Sequence, residues 1–155
     1  MKISLNRIRK APSFAMALRL ILGCIFLYAS LDKIPDSAAF AQSVQNYRLI
    51  PVELTNLVGI ILPWLELYCA LFLILGLFSR ASSAIISILL LFFIIALTTA
   101  VIRGLDIACG CYGTGTNVSL GRIIEDLLLL AVALHLFFFP PNKFTLDNYL
   151  FKEIN

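Results

Sequence analysis

Charged residues are scarce in this sequence of 155 residues. Asp, Glu, Lys and Arg make up 14% of it, whereas they make up about 25% of an average soluble domain. Hydrophobic residues reach 61%, against roughly 45–50% in soluble domains, and the mean hydropathy is +0.96. This composition excludes an ordinary soluble domain and predicts that lipid is the main solvent. The small net charge of +3 gives no support for nucleic-acid binding.

Metal and haem ligands are also few. The sequence contains one histidine, His135, and four cysteines. A structural zinc site usually needs four nitrogen or sulfur ligands, and the closely spaced pair Cys109 and Cys111 supplies only two. Covalent haem attachment normally uses a C-x-x-C-H motif, which is absent. We therefore predict no metal site.

Four long apolar runs are present, and about 20 helical residues cross a bilayer core of about 30 Å. The runs cover residues 14–31, 57–78, 84–102 and 119–139. Arg80, Ser82 and Ser83 predict a tight polar turn between the second and third runs, and Pro140 ends the fourth. The sequence thus predicts an all-α membrane protein, a bundle of four transmembrane helices forming a single domain over residues 1–155.

Basic residues predict the orientation of these helices. Lysine and arginine are concentrated before the first run, between the second and third runs, and after the fourth. Loops rich in these residues stay in the cytoplasm, so we expect both termini on the cytoplasmic side of a bacterial inner membrane and the Cys109–Cys111 loop outside. A basic start could also introduce a signal peptide, but the first run is long enough to span and is interpreted as a retained helix.

A short helix is predicted between the first two runs. Asp36 can cap it, and Phe40, Val44 and Tyr47 recur at helical spacing along one face. This stripe favours an interfacial helix that lies in the headgroup region. The alternative is a lid over a site or a dock for a partner.

The pair Cys109 and Cys111 is the most informative chemical feature. The two thiols flank Gly110, so a disulfide between them would close a small, strained ring that is easier to reduce than a structural bridge. On the oxidising side of a bacterial membrane, such a pair is suited to thiol exchange with a partner. The alternatives are that each cysteine forms a disulfide elsewhere or that both are unpaired.

Glu66 is an ionisable residue within the second apolar run. Such a side chain is costly in hydrocarbon unless it is protonated, paired or facing a polar cavity, so Glu66 should face the bundle interior. It shares a helix face with Cys69, three residues further on. Two interpretations are equally open: Glu66 handles protons beside a thiol or quinone, or it is a neutral acid hydrogen-bonded to another helix.

Two further cysteines, Cys24 and Cys69, lie in the first and second runs at depths within the hydrocarbon. They could form a second, buried redox pair. Free cysteine commonly behaves as a small apolar packing residue, and the two depths differ, so packing is the favoured interpretation.

The start of the fourth run is charged. Arg122, Glu125 and Asp126 lie there, where acidic groups also favour the positive end of a helix. An ion pair or an interface anchor is the default interpretation of this cluster.

Several longer segments together resemble one known family. They are FLYASLDK (26–33), NYRLIP (46–51), LPWLEL (62–67), LGLFSR (75–80), RGLD (103–106) and CGCYG (109–113). On these segments the chain resembles the MauE proteins of methylamine utilisation, within the wider DoxX-like group of small four-helix membrane proteins, and the resemblance covers most of the sequence.

This resemblance implies a redox-associated membrane protein that works with an extracytoplasmic thioredoxin-like partner. The implied context is maturation of disulfide-containing exported enzymes of the methylamine dehydrogenase type. Cys109 and Cys111 would exchange electrons or disulfides with the partner, Glu66 would handle protons, and a membrane quinone is a candidate electron carrier. The leading alternative is a non-enzymatic membrane scaffold or assembly factor with a structural CxC disulfide. A small transporter coupled through Glu66 is a third interpretation, although no internal repeat is evident.

Overall fold

The computed structural model describes residues 12–104 and 120–140. Within these two ranges the chain forms five α-helices and no β-strand. The helices are α1 (Pro12–Lys33), α2 (Ser37–Asn46), α3 (Val52–Leu75), α4 (Ser79–Ile102) and α5 (Leu120–Phe138). The predicted all-α class is confirmed.

Among the described helices, α1, α3 and α4 are long and apolar enough to cross a membrane. The chain is therefore a multi-pass membrane protein. Helix α5 has 19 residues, but three charged residues, Arg122, Glu125 and Asp126, lie in its first two turns, where the other three long helices have at most one. The fourth membrane crossing stays a prediction.

Helices α1 and α3 pack side by side and run in opposite directions. Gly23, at the middle of α1, lies beside Ala70 and Ile74 near the end of α3. At the other end of the contact, Lys33, the last residue of α1, reaches Glu66. Since later residues of α1 meet earlier residues of α3, the pair is antiparallel.

Helices α4 and α5 form a second antiparallel pair. Near the start of α4, the Arg80 guanidinium carbon lies 5.1 Å from the centre of the Phe137 ring, near the end of α5. Further along α4, Phe93 lines the same cavity as Asp126, which is early in α5. Contacts between α3 and α4 and between α1 and α5 join the two pairs, so the four long helices close a bundle.

The interior of this bundle is apolar, and so is much of its outer surface. Buried side chains from all four long helices meet in one core cluster, including Leu22, Phe26, Leu73, Ile86, Leu90, Leu130 and Leu136. Large apolar side chains also cover the outside, among them Ile21, Ile60, Phe92, Ile95 and Leu128. Helices that are hydrophobic on all faces are typical of a membrane span.

The turn between α3 and α4 lies earlier than the sequence pattern predicts. Gly76 ends α3 in the left-handed conformation, with a φ of 73°, which suits a residue without a side chain. Helix α4 then begins at Ser79, so the turn predicted at residues 80–83 is wrong. The Ser83 hydroxyl donates to the Ser79 carbonyl oxygen at 2.7 Å, and this bond lets a polar side chain lie inside the helix.

The short helix α2 packs against α3. As predicted, Asp36 caps its start: the carboxylate accepts a hydrogen bond from the Ala39 amide at 3.0 Å. The two helices approach closely where Gly59 of α3 meets α2, because a Cβ atom added at Gly59 would lie 2.6 Å from the Cβ of Ala41. Phe40 and Ala41 are both buried, so one face of α2 is turned to the protein.

Candidate functional site

The predicted site residues fall into two groups. Cys109 and Cys111 lie outside the described residues, in the connection between α4 and α5. Glu66, Cys24 and Cys69 lie in described helices, and the site can be built from Glu66 outward.

Glu66 forms a buried ion pair with Lys33. The Lys33 Nζ atom donates to both carboxylate oxygens of Glu66, at 3.0 Å and 2.9 Å. The side chains are 5% and 2% exposed. A charged group in an apolar bundle is costly without a partner, so each of these residues accounts for the presence of the other. Glu66 faces inward, as its burial requires.

Two aromatic rings complete the surroundings of the lysine. The Lys33 Nζ atom lies 5.0 Å from the centre of the Phe40 ring and 5.1 Å from the centre of the Phe93 ring. Both distances are within the range in which a cation is attracted to an aromatic face. Phe40 belongs to α2, so this short helix covers the ion pair. Whether α2 also lies in the headgroup region stays a prediction.

A small cavity adjoins the ion pair. Its volume is about 30 Å³, and it is lined by Phe26, Ala29, Lys33, Glu66, Leu90, Phe93, Asp126 and Leu129. A cavity needs roughly 10–15 Å³ of such space and polar partners to hold one water molecule. The ammonium and carboxylate groups supply those partners, so the cavity can hold one or two waters.

Asp126 brings a second carboxylate to this cavity. The residue is 7% exposed, and its Oδ2 atom has no hydrogen-bond partner among the described residues. Its sequence neighbours behave differently: Arg122 Nη1 donates to Glu125 Oε2 at 2.7 Å in a pair whose Glu125 side chain is 59% exposed. The ion-pair interpretation of the charged start of α5 is therefore confirmed for Arg122 and Glu125, whereas Asp126 points into the bundle.

Tyr47, at the end of α2, closes the same end of the bundle. It is buried in a cluster with Leu97 and Ala100 of α4, and Ile123 of α5 packs against that cluster. Burial raises the pKa of Tyr47 from 10.0 to about 12, and the negative charge of nearby Asp126 adds to the increase. Tyr47 is therefore neutral at physiological pH.

The remaining cysteines do not form a buried pair. Cys69 is buried in the bundle core, whereas Cys24 is exposed on the outer surface of α1, and both are free thiols in the described structure. The expectation that both thiols are buried needs correction for Cys24, because its position turns it away from the core. Cys69 packs among apolar side chains, in agreement with the packing interpretation.

Sequence reasoning missed two features of this site. No role for Lys33 follows from the sequence patterns, and they place Asp126 only in the charged cluster at the start of the fourth run. The sequence does contain a signal for Lys33, because a buried Glu66 needs a cation and Lys33 lies two residues after the preceding apolar run. No local signal separates Asp126 from Glu125, since the two differ only in the direction in which they leave α5.

The connection that carries Cys109 and Cys111 is attached at this end of the bundle. It follows α4, which ends at Ile102, and it leads into α5 at Leu120. At a rise of 1.5 Å per residue, Asp126 lies about 9 Å along α5 from that start. The two cysteines are thus tethered to the bundle end that contains the cavity.

These features define a class of protein: a multi-pass helical membrane protein with a buried ion pair and a second buried carboxylate near one end of its bundle. A family model described as methylamine utilisation protein MauE matches residues 11–139. The chain therefore belongs to the MauE family, as the sequence segments predict.

Several curated relatives carry the same description. The methylamine utilization protein MauE of Paracoccus denitrificans is 32% identical over 126 residues, which cover 79% of this chain and 68% of the relative. The MauE protein of Methylophilus methylotrophus is 31% identical over 123 residues, covering 79% and 65% respectively. The chain spans about two thirds of the length of these relatives. No solved structure gives a significant match.

Proposed function

We propose that this protein is a membrane redox component that exchanges disulfides with an extracytoplasmic thioredoxin-like protein. The exchange would serve the maturation of disulfide-containing exported enzymes, with methylamine utilisation as the physiological setting that membership of the MauE family supports. The observation that carries the proposal is that the segment with Cys109 and Cys111 joins the bundle at the end that contains the charged cavity. A reducible thiol pair on a segment that joins this end of the bundle suits this chemistry.

The exchange requires no further reactant. A thiolate of the partner attacks one sulfur of the Cys109–Cys111 disulfide, and a mixed disulfide forms while the other cysteine leaves as a thiolate. The second partner thiolate then attacks the mixed disulfide and releases the first cysteine. Two electrons pass from the partner to the pair, the partner is oxidised to its disulfide, and the reverse sequence transfers electrons in the other direction.

A quinone does not fit the site seen here. The cavity beside Glu66 measures about 30 Å³, whereas sites for small organic molecules measure roughly 300 Å³ or more. Lys33, Phe40 and Phe93 occupy the space around the carboxylate. The proposed reaction is therefore thiol exchange at Cys109 and Cys111, without a quinone in this cavity.

The proposal includes a membrane arrangement in which α5 is the fourth crossing. Its 19 residues reach about 28 Å at 1.5 Å per residue, close to the roughly 30 Å thickness of the hydrocarbon. Its charges lie in its first turns, where Asp126 faces inward and Arg122 pairs with Glu125. Both termini would then lie on the cytoplasmic side of the inner membrane, with α2 and the CxC connection on the outer side.

Single replacements Cys109→Ser and Cys111→Ser test this function. Each purified variant is reconstituted in lipid with a thioredoxin-like protein, and the redox state of that partner is followed by thiol trapping. We expect either replacement to abolish exchange while the bundle stays folded. Cys24→Ser is the matched control, because Cys24 is an exposed free thiol in α1, and it should exchange at the wild-type rate.

Two outcomes would contradict the proposal. Exchange that persists in both Cys109→Ser and Cys111→Ser would exclude the pair as the reacting group. A Cys109–Cys111 reduction potential below about −300 mV, the range of inert structural disulfides, would instead support a scaffold with a structural disulfide, as would client maturation that survives both replacements.

A further inference from the structure

The cavity beside the ion pair is lined by more carboxylates than cations. Of the described residues that line it, Lys33 is positively charged, whereas Glu66 and Asp126 are both acidic. Both Glu66 oxygens accept from the single Lys33 ammonium. Lys33 is therefore engaged by Glu66, and one negative charge is left to be neutralised.

Among the described residues on the cavity wall, Lys33 is the one cation that faces Asp126 from another helix, and Glu66 already engages it. Helix α1 contributes Lys33, α3 contributes Glu66, and α2 contributes the neutral phenol of Tyr47. On the cavity wall, the residues from α4 are the apolar Leu90 and Phe93.

On its own helix, Asp126 has one cation and one further carboxylate nearby. Arg122 already donates to Glu125 at 2.7 Å. Among the described groups in this region, the two cations Lys33 and Arg122 thus stand against three carboxylates, those of Glu66, Glu125 and Asp126. An excess negative charge in an apolar bundle is costly, and a buried acid in that position neutralises itself by taking up a proton.

The hydrogen bonds identify which carboxyl has room for that proton. Protonation of Glu66 would remove an acceptor from a pair in which Lys33 uses both oxygens. The Asp126 Oδ2 atom, in contrast, is buried, has no partner among the described residues and belongs to a side chain on the cavity wall. A hydroxyl at Oδ2 could donate to a water in the cavity, which has room for one.

We propose that Asp126 is the proton-binding carboxyl of this protein and that it exchanges its proton with water in the cavity, while Glu66 stays ionised as the counter-ion of Lys33. The proton site follows from the cavity itself. Its task in thiol exchange rests on the proposed function: a thiolate of Cys109 or Cys111 takes up one proton when it becomes a thiol, and Asp126 would release one through the cavity water and become a carboxylate.

Infrared spectroscopy of the full chain in lipid bilayers tests the site without the thioredoxin-like partner. The carbonyl stretch of a protonated carboxylic acid is recorded across the pH range in which the protein stays folded. Chains labelled with carboxyl-¹³C aspartate or carboxyl-¹³C glutamate assign the band to one residue type without any substitution. We expect a band that shifts with labelled aspartate, does not shift with labelled glutamate, and disappears with rising pH.

Substitutions then identify the residue. Asp126→Asn should remove the band, and Glu125→Gln, one position away in the exposed pair with Arg122, should leave it unchanged. A band that follows labelled glutamate and is lost in Glu66→Gln would overturn the proposal, as would the lack of any protonated-acid band. If Asp126→Asn fails to fold, the isotope shift in the wild-type chain still decides between aspartate and glutamate.

The pH profile of disulfide exchange separates this inference from the proposed function. Asp126→Asn should flatten the profile, whereas Glu125→Gln should retain the wild-type shape. An aspartate band in a chain that fails to exchange disulfides would contradict the proposed function and support the proton site. Normal disulfide exchange in a chain that lacks the aspartate band would support the proposed function and contradict the proton site.

Discussion

Lys33 Nζ donates to both carboxylate oxygens of Glu66, at 3.0 Å and 2.9 Å, and so ties the last residue of α1 to the middle of α3. The rings of Phe40 and Phe93 flank the ammonium at 5.0 Å and 5.1 Å. Each of the five described helices contributes one residue to this region: Lys33, Phe40, Glu66, Phe93 and Asp126, from α1 to α5 in that order. The stability of this end of the bundle should therefore depend on the pair.

Removing the cation should destabilise the protein strongly. Lys33→Met leaves the Glu66 carboxylate buried without its partner, and the loss of one member of a buried pair costs about 3–5 kcal/mol. The free energy of unfolding in detergent, from denaturant titration, measures the change. The double variant Lys33→Met/Glu66→Leu should recover much of the loss, because it removes the second charge as well.

The exposed pair on α5 provides the control for that measurement. Glu125→Gln breaks a contact with Arg122 in which the Glu125 side chain is 59% exposed, and solvent-exposed pairs contribute less than about 1 kcal/mol. If Lys33→Met and Glu125→Gln lowered the unfolding free energy equally, the buried pair would not have the structural importance assigned to it.

The close approach of α2 to α3 makes Gly59 sensitive to any side chain. In Gly59→Ala the new Cβ atom would lie 2.6 Å from the Ala41 Cβ, and it would lie 3.1 Å from both the Ala41 Cα and the Ser37 carbonyl oxygen. Backbone atoms cannot rotate away, so α2 must shift, at a cost of about 1–3 kcal/mol. Thermal unfolding should show a lower midpoint.

Gly23→Ala is the matched comparison for Gly59→Ala. Its new Cβ atom would lie 2.7 Å from the Cγ1 atom of Ile74, a flexible side chain that can change its rotamer. We expect a smaller decrease in the unfolding midpoint than for Gly59→Ala. A larger effect at Gly23 would mean that the α1–α3 contact, not the α2–α3 contact, is the tighter one.

Ionisation of Tyr47 should lower the stability of the folded protein at high pH. Its pKa is raised from 10.0 to about 12 in the folded protein, so the folded state holds the phenolic proton more tightly than the unfolded state. The resulting stabilisation is complete below pH 10, the ordinary pKa, and it is lost as the pH rises through the folded value near 12. The unfolding midpoint, measured from pH 10 upward, should fall with pH.

Tyr47→Phe identifies the tyrosine that causes this decrease. The variant lacks the titrating group, so its unfolding midpoint should fall less steeply over the same pH range, even if its stability at neutral pH differs. An unchanged slope would assign the pH dependence to other groups.

Thiol labelling should distinguish the two cysteines within the helices. Cys24 is exposed on α1 and Cys69 is buried in the core. In a Cys109→Ser/Cys111→Ser background, a small apolar maleimide should modify Cys24 in the folded protein and reach Cys69 only after unfolding. Mass spectrometry of the labelled protein gives the order, and equal labelling of both thiols would contradict the placement of Cys69.

Local sequence patterns predicted several elements because the physics that governs them is local. Asp36 caps α2 because its side chain reaches an amide three residues away, and Glu66 faces inward because hydrocarbon disfavours any exposed charge. The prediction of a turn at residues 80–83 is wrong because a local pattern can be satisfied in more than one way. A serine can bond the carbonyl four residues back, as Ser83 does with Ser79, so its polarity does not by itself end a helix.

The amino-acid sequence by itself determined that this protein is helical and enters the membrane, because the length and hydrophobicity of consecutive residues decide whether a segment can cross a bilayer. It also determined the family, through short segments that are distinctive together. Only the tertiary structure decided that Lys33 is the partner of Glu66, 33 residues away, that Asp126 faces the cavity while Glu125 faces outward, and that α2 covers the pair. Each of these depends on how helices rotate and pack against one another, which local hydrophobicity does not determine.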